Sequence, residues 1–133
     1  MLRIRPEQLK ALSAEVLQRR GAKVARYVEE RLRASGHDAS SAAEEAARVV
    51  SAGRAYGLVS EADLLALAEL AERYALPWEA SDATRWMHRR MVDPLLDDAS
   101  ERLALLREAV EAKERAQSRI AAARAEFLGR KTP

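Results

Sequence analysis

The chain has 133 residues, 33% of them charged and 48% hydrophobic, with a formal net charge of +2 and no cysteine. That length fits one domain able to bury a core of its own. The missing cysteine excludes disulfide scaffolds, thiolate zinc sites and thiol nucleophiles. Ala, Leu, Arg and Glu dominate, whereas there are only 5 Gly and 4 Pro. This alphabet of helix formers predicts an all-α fold.

The charge is unevenly distributed. Residues 1–35 hold nine Lys/Arg against four Asp/Glu, net +5. Residues 36–84 hold three against nine, net −6, and residues 85–133 hold eleven against eight, net +3. If the three segments pack together, much of this cancels inside the fold. A nucleic-acid binder gathers positive charge on one face, so nucleic acid is not the expected partner. Residues Met1 to Pro6 carry no apolar signal-peptide core. The longest apolar run is far short of the roughly 20 residues that span a bilayer. The expectation is a cytoplasmic chain with no membrane role.

The first predicted helix runs from Pro6 to Ala34. Proline suits the first helical position, where its missing N–H costs nothing. Leu9, Leu12, Val16, Val24, Val28 and Leu32 recur at helical spacing and predict the buried stripe. Gly21 marks a bend or a close helix crossing, and Gly36 a stop. The second helix is announced by the capping box Ser41-Ala42-Ala43-Glu44. Ala46, Val49, Val50, Gly53 and Tyr56 form its core face, and Gly57 ends it.

The third helix opens at Ser60, which caps it, with Glu61 and Asp63 at its positive end. Leu64, Leu67, Ala68, Ala71 and Ala75 lie on one stripe, with Leu65, Leu70 and Tyr74 beside it. A stripe this wide predicts a largely buried helix. Pro77 closes it. The fourth helix is short, Asp82 to Val92 with Ser81 as cap, and Asp93-Pro94 interrupts it.

The fifth helix starts near Ser100 and reaches Leu128. Leu103, Leu106 and Val110 fit a core stripe, but Lys113, Gln117 and Arg124 then occupy its places. A helix of that length measures about 43 Å, against a radius of gyration of about 14 Å for a compact domain of this size. The segment from Glu111 therefore projects, folds back on the first helix, or pairs with another chain. Residues Gly129 to Pro133 are expected to be disordered. The predicted architecture is a compact bundle of about five helices with a long C-terminal helix: residues 1–110 form the bundle and 111–133 the extension.

Chemistry-bearing residues are few. His37 lies in a Gly-His-Asp loop and His88 among Arg85, Arg89 and Arg90. Neither has a second ligand at the spacing of a zinc site. The adjacent pairs Glu44-Glu45 and Asp97-Asp98 diverge on a helix and form no dyad. There is no phosphate-binding Gly-rich loop, G-x-S-x-G elbow, H-E-x-x-H or calcium loop. No catalytic, metal or cofactor site is expected; a histidine meeting acidic groups inside a deep polar cleft would overturn that reading.

Two surfaces remain as candidates for binding a protein. Trp78, Arg85, Trp86, Arg89 and Arg90 combine the residue types enriched at interface hot spots, although both tryptophans would also serve to fill a core short of aromatics. Ile120, Phe127 and Leu128 form a thin apolar stripe on the last helix, suited to a partner's groove or to a homodimeric seam.

Several stretches taken together have a familiar pattern. They are Arg3-Ile4-Arg5-Pro6-Glu7-Gln8-Leu9, then Ala55-Tyr56-Gly57-Leu58-Val59-Ser60-Glu61-Ala62-Asp63-Leu64, then Trp86, Met91-Val92-Asp93-Pro94 and Ser100-Glu101-Arg102-Leu103. Over roughly residues 1–110 the chain resembles a family of small all-helical bacterial proteins encoded beside type VI secretion spike, tip and effector genes, in polymorphic-toxin neighbourhoods. The resemblance implies a non-catalytic accessory role, binding a cognate effector or tip protein as adaptor or chaperone. It carries over no catalytic residue. An immunity protein presenting the acidic middle segment to a toxin, and a basic helical nucleic-acid binder, are the alternatives.

Overall fold

The computed structural model describes the backbone of residues 6–131 and the side chains of residues 14–129. The side chains of Leu9 and Leu12, the stretch before Pro6, and Thr132 and Pro133 lie outside the described residues. Among the described residues five α-helices follow one another: α1 (Pro6–Ala34), α2 (Ala39–Ala55), α3 (Glu61–Arg73), α4 (Arg85–Met91) and α5 (Ala99–Lys131), with a 3-10 turn at Trp78–Ala80. Among the described residues there is no strand, and no helix is long and apolar enough to cross a membrane.

α1 and α2 form an antiparallel hairpin. A Cβ added at Gly21 would touch Val50 Cγ1 at 3.0 Å, so this glycine permits a close crossing. α1 ends in a Schellman motif: the His37 N–H donates to Leu32 O at 3.1 Å and Gly36, at φ +97°, donates to Arg33 O at 3.0 Å. α2 ends the same way, with Gly57 at φ +83° and the Leu58 N–H donating to Gly53 O at 2.8 Å. Glycine takes that left-handed position without the Cβ penalty, and each motif turns the chain straight into the next helix.

α3 is the central element. Leu64, Ala66, Leu67, Ala68, Leu70 and Ala71 are all buried. Gly53 of α2 is the seat for Leu64, because a Cβ there would collide with Leu64 Cδ2. Val24, Val28 and Leu32 reach α3 from one side; Leu103, Leu106 and Val110 of α5, with Trp78, Met87 and Met91, complete the core. α1 and α5 both run in the sense of α3. Lys23–Glu61 (3.2 Å) and Arg31–Glu72 (2.6 Å) pair α1 with α3, while Arg107–Glu69 (4.0 Å) and Arg73–Glu114 (2.7 Å) pair α3 with α5. The basic, acidic, basic sequence segments are therefore neutralised partly against one another.

Several boundaries differ from the sequence reading. The cap of α2 is Asp38, whose Oδ1 accepts from the Ser41 N–H at 2.7 Å. Ser41 and Glu44 then fall inside the helix. The expected cap at Ser60 is present, its hydroxyl accepting from the Asp63 N–H at 3.1 Å. α4 begins only at Arg85, because the Thr84 side chain turns inward and donates to Trp78 O at 2.8 Å instead of capping. Val16 is 41% exposed: Gly21 already lies opposite Val50 and Arg54 near the end of α2, so the preceding turns of α1 run past their partner. Ala75 is exposed, since α3 stops at Arg73. At the other end α5 continues through Gly129 to Lys131 where disorder was expected.

The α5 extension projects. From Glu111 to Gly129 every side chain is exposed except the half-buried Glu114. Among the described residues α5 packs on α3 and α4 and makes no comparable contact with α1. Glu114 marks the point of departure. It accepts from Arg73 at 2.7 and 2.8 Å and from the Tyr74 hydroxyl at 2.9 Å, tying α5 to the end of α3.

Candidate partner-binding site

Of the residues singled out in the sequence, Trp78 is wholly buried. Its indole N–H donates to Tyr74 O at 2.9 Å, its ring stacks on Tyr56 with centroids 5.9 Å apart, and its carbonyl takes the Thr84 hydroxyl. It is a core residue and offers no face to a partner. Arg85 is held by Asp82 at 2.8 Å on the surface.

Trp86 and Arg90 sit one turn apart on α4 and face α5. Lys113 Nζ lies 4.7 Å and Arg90 Cζ 5.7 Å from the Trp86 ring centre, so the half-buried indole is flanked by two cations. Such contacts are worth about 0.5–1 kcal/mol at exposed sites. Arg89 is exposed beside them. Ile120, Phe127 and Leu128 are 53%, 58% and 65% exposed, farther along the same helix. The structure thus joins the two expected surfaces, minus Trp78, into one path. It runs from Trp86 and Lys113 at the bundle's edge out along α5.

Sequence reasoning missed a second feature. His88 lies among arginines in the sequence, yet its spatial neighbours are Tyr56 and Glu79. Tyr56 Oη stands 2.8 Å from His88 Nδ1, and Glu79 Oε2 3.5 Å from the same nitrogen. Burial, aided by the Glu79 charge, pushes the Tyr56 phenol up to about 12. The phenol therefore stays protonated near neutral pH, and its contact with Nδ1 orients the His88 ring. The Glu79 distance is too long for a hydrogen bond and becomes an ion pair only when the imidazole is protonated. The trio borders a cavity of about 460 Å³ between α2 and the segment Leu76–His88, also lined by Arg48, Ala52, Leu76 and Pro77.

Glu79 is 55% exposed beside this cavity. Tyr56 lies 32 positions from His88, across two helices, and no local sequence signal links them. His37, the other histidine, has Nδ1 3.2 Å from Leu32 O within the α1 Schellman turn.

Arg102 is a further residue that spacing did not reveal. Its guanidinium reaches Tyr56 O at 3.3 Å and also Leu96 O, while its buried Nε has no hydrogen-bond partner among the described residues. A cation on Tyr56 O, at the C-terminal end of α2, complements the helix dipole and ties the start of α5 there. No group of three or more potential metal ligands lies together among the described residues. Comparisons of the chain with family models, with curated proteins and with solved structures returned no match.

Proposed function

We propose that the chain is a non-catalytic accessory protein of a bacterial, type VI-like secretion system, acting in the cytoplasm as adaptor or chaperone for a cognate effector or tip protein. The secretion context comes from the sequence resemblance. The observation that carries the binding role is the α5 extension, an exposed helix that presents Ile120, Phe127 and Leu128 to solvent beyond the point where Glu114 leaves the bundle. Exposed apolar side chains on a helix that leaves the core support reading this face as a protein-docking surface.

The immunity reading has less support. It relied on an acidic face in residues 36–84, and Glu61, Glu72 and Glu69 of that segment pair with Lys23, Arg31 and Arg107. Co-expression with the products of adjacent effector and tip genes, followed by size-exclusion chromatography, tests the proposal. Co-elution with one of them is expected. A chain that elutes alone beside each of them refutes it. Rescue of growth during expression of a neighbouring toxin would favour the immunity role instead.

A further inference from the structure

α5 carries a seam that does not stop where the bundle stops. Leu103, Leu106, Val110, Lys113, Gln117, Ile120, Arg124 and Phe127 follow one another at alternating spacings of three and four residues. This is the heptad rhythm of a coiled coil, with Leu103, Val110, Gln117 and Arg124 at one seam position and Leu106, Lys113, Ile120 and Phe127 at the other. The first three members are 0–1% exposed in the core. From Gln117 onward the same stripe faces solvent.

The charges along the exposed stripe have one sign. Lys113 and Arg124 lie on the seam, with Arg90 flanking Lys113 across Trp86. The acid beside the seam, Glu114, is taken by Arg73 and Tyr74. The flanking positions Ala116, Ala121 and Ala123 are small and uncharged, leaving room for a close neighbour.

A second copy of this chain fits the seam poorly. In a parallel, in-register pair, Arg124 meets Arg124. In an antiparallel pair that sets Ile120 opposite Gln117, Lys113 falls opposite Arg124. Like charges at facing seam positions act against self-pairing and select a partner of opposite sign.

We infer that the α5 extension is one strand of a heteromeric coiled coil whose other strand is an acidic amphipathic helix of a different protein, its glutamates or aspartates facing Lys113 and Arg124 and its apolar residues covering Ile120 and Phe127. This rests on reading α5 as the docking element. It adds the chemistry of the partner.

The test titrates the full-length protein into two fluorescent three-heptad peptides with leucine seams, one with Glu and one with Lys at the polar facing positions, read by anisotropy. The Glu peptide is expected to bind at least tenfold more tightly, with affinity falling as salt rises. Arg124→Glu, which leaves one cation and one anion on the seam, should abolish the preference. Ile120→Ser with Phe127→Ser should weaken both peptides tenfold or more while the far-UV circular dichroism and the melting temperature of the bundle hold. Equal binding of the two peptides, binding of neither, or a dimer by sedimentation equilibrium that the double serine variant abolishes would each overturn the inference. Co-elution with a neighbouring gene product that survives the double serine variant sinks the coiled coil but leaves the adaptor reading standing. Selective Glu-peptide binding without any co-eluting neighbour does the reverse.

Discussion

Leu106 and Ile120 occupy the same seam position of α5 two heptads apart, so replacing each with alanine separates burial from helix formation. Leu106 is 0% exposed and Ile120 is 53% exposed. Leu106→Ala removes three carbons from the core. At about 0.8 kcal/mol per buried methylene the transfer loss alone is about 2.4 kcal/mol, and the void left in the core adds about 1 kcal/mol more. The expected loss is about 3.5 kcal/mol, a large share of the stability of a domain this size. In urea, with a slope of about 2 kcal/mol per molar, the midpoint should fall by about 1.7 M. Ile120→Ala should change stability by less than about 0.5 kcal/mol, since it loses little burial and gains helix propensity. Chemical denaturation followed at 222 nm reads both. A loss below about 1 kcal/mol at Leu106, or one above about 1.5 kcal/mol at Ile120, would refute the assignment of core and extension.

Asp38→Ala should cost about 1 kcal/mol through loss of the α2 cap, whereas Ser41→Ala should cost less than half of that; thermal melts of the two variants compare them directly. Thr84→Val leaves Trp78 O without its buried donor and should cost about 1–2 kcal/mol in urea denaturation. In the folded chain Tyr56 is pushed up to about 12, and Tyr74 is raised by burial and by its bond to Glu114. A raised phenol holds its proton longer when folded than when unfolded, so the stability from these groups is complete below the ordinary tyrosine range. It falls as pH climbs through the window from about 10 toward 12. Absorbance titration at 295 nm should show a late-titrating phenol that disappears in Tyr56→Phe, and the variant's stability should decline less steeply in that window.

The helices were legible because their signals are local. The glycines at 36 and 57 and the serine at 60 stop and start helices through the backbone groups nearest to them, and the apolar spacings of α3 and α5 picked out residues that are buried. The errors have one cause. Whether a good cap or stripe residue is used depends on what lies across from it, and that is not written in the segment itself. Ser41 lost its expected role to a better-placed aspartate. Val16 had the right spacing but no α2 beside it. Thr84 was drawn inward by Trp78 O. The candidate site divides in the same way. The exposed residues of α5 could be read from a broken stripe, whereas the Tyr56–His88–Glu79 groove and the Arg102 clamp join residues from separate elements and had no spacing to betray them.

The break in the α5 stripe carries a further consequence. A helix meant only to cap the core could end at Val110, where the buried seam positions end, and Glu114 already fixes its last turn to α3. The chain instead continues for about five more turns at 3.6 residues each. A solvated helix of that length is marginal without a neighbour, because propensity alone barely offsets nucleation. Growth from a folded bundle removes the nucleation step, and the alanine-rich composition keeps propagation favourable. The extension is thus maintained as a helix by the core behind it, with its heptad phase already aligned. Such preorganisation lowers the ordering cost a partner helix must meet on docking. A helix-breaking Ala116→Pro substitution, placed beyond the Glu114 tether, should therefore uncouple the two regions. The melting temperature of the bundle should change little, the helical signal should drop by about the share of residues past 116, and partner binding should be lost. A melt that collapses with Ala116→Pro would mean that the extension stabilises the core, and the division of labour drawn along α5 would be wrong.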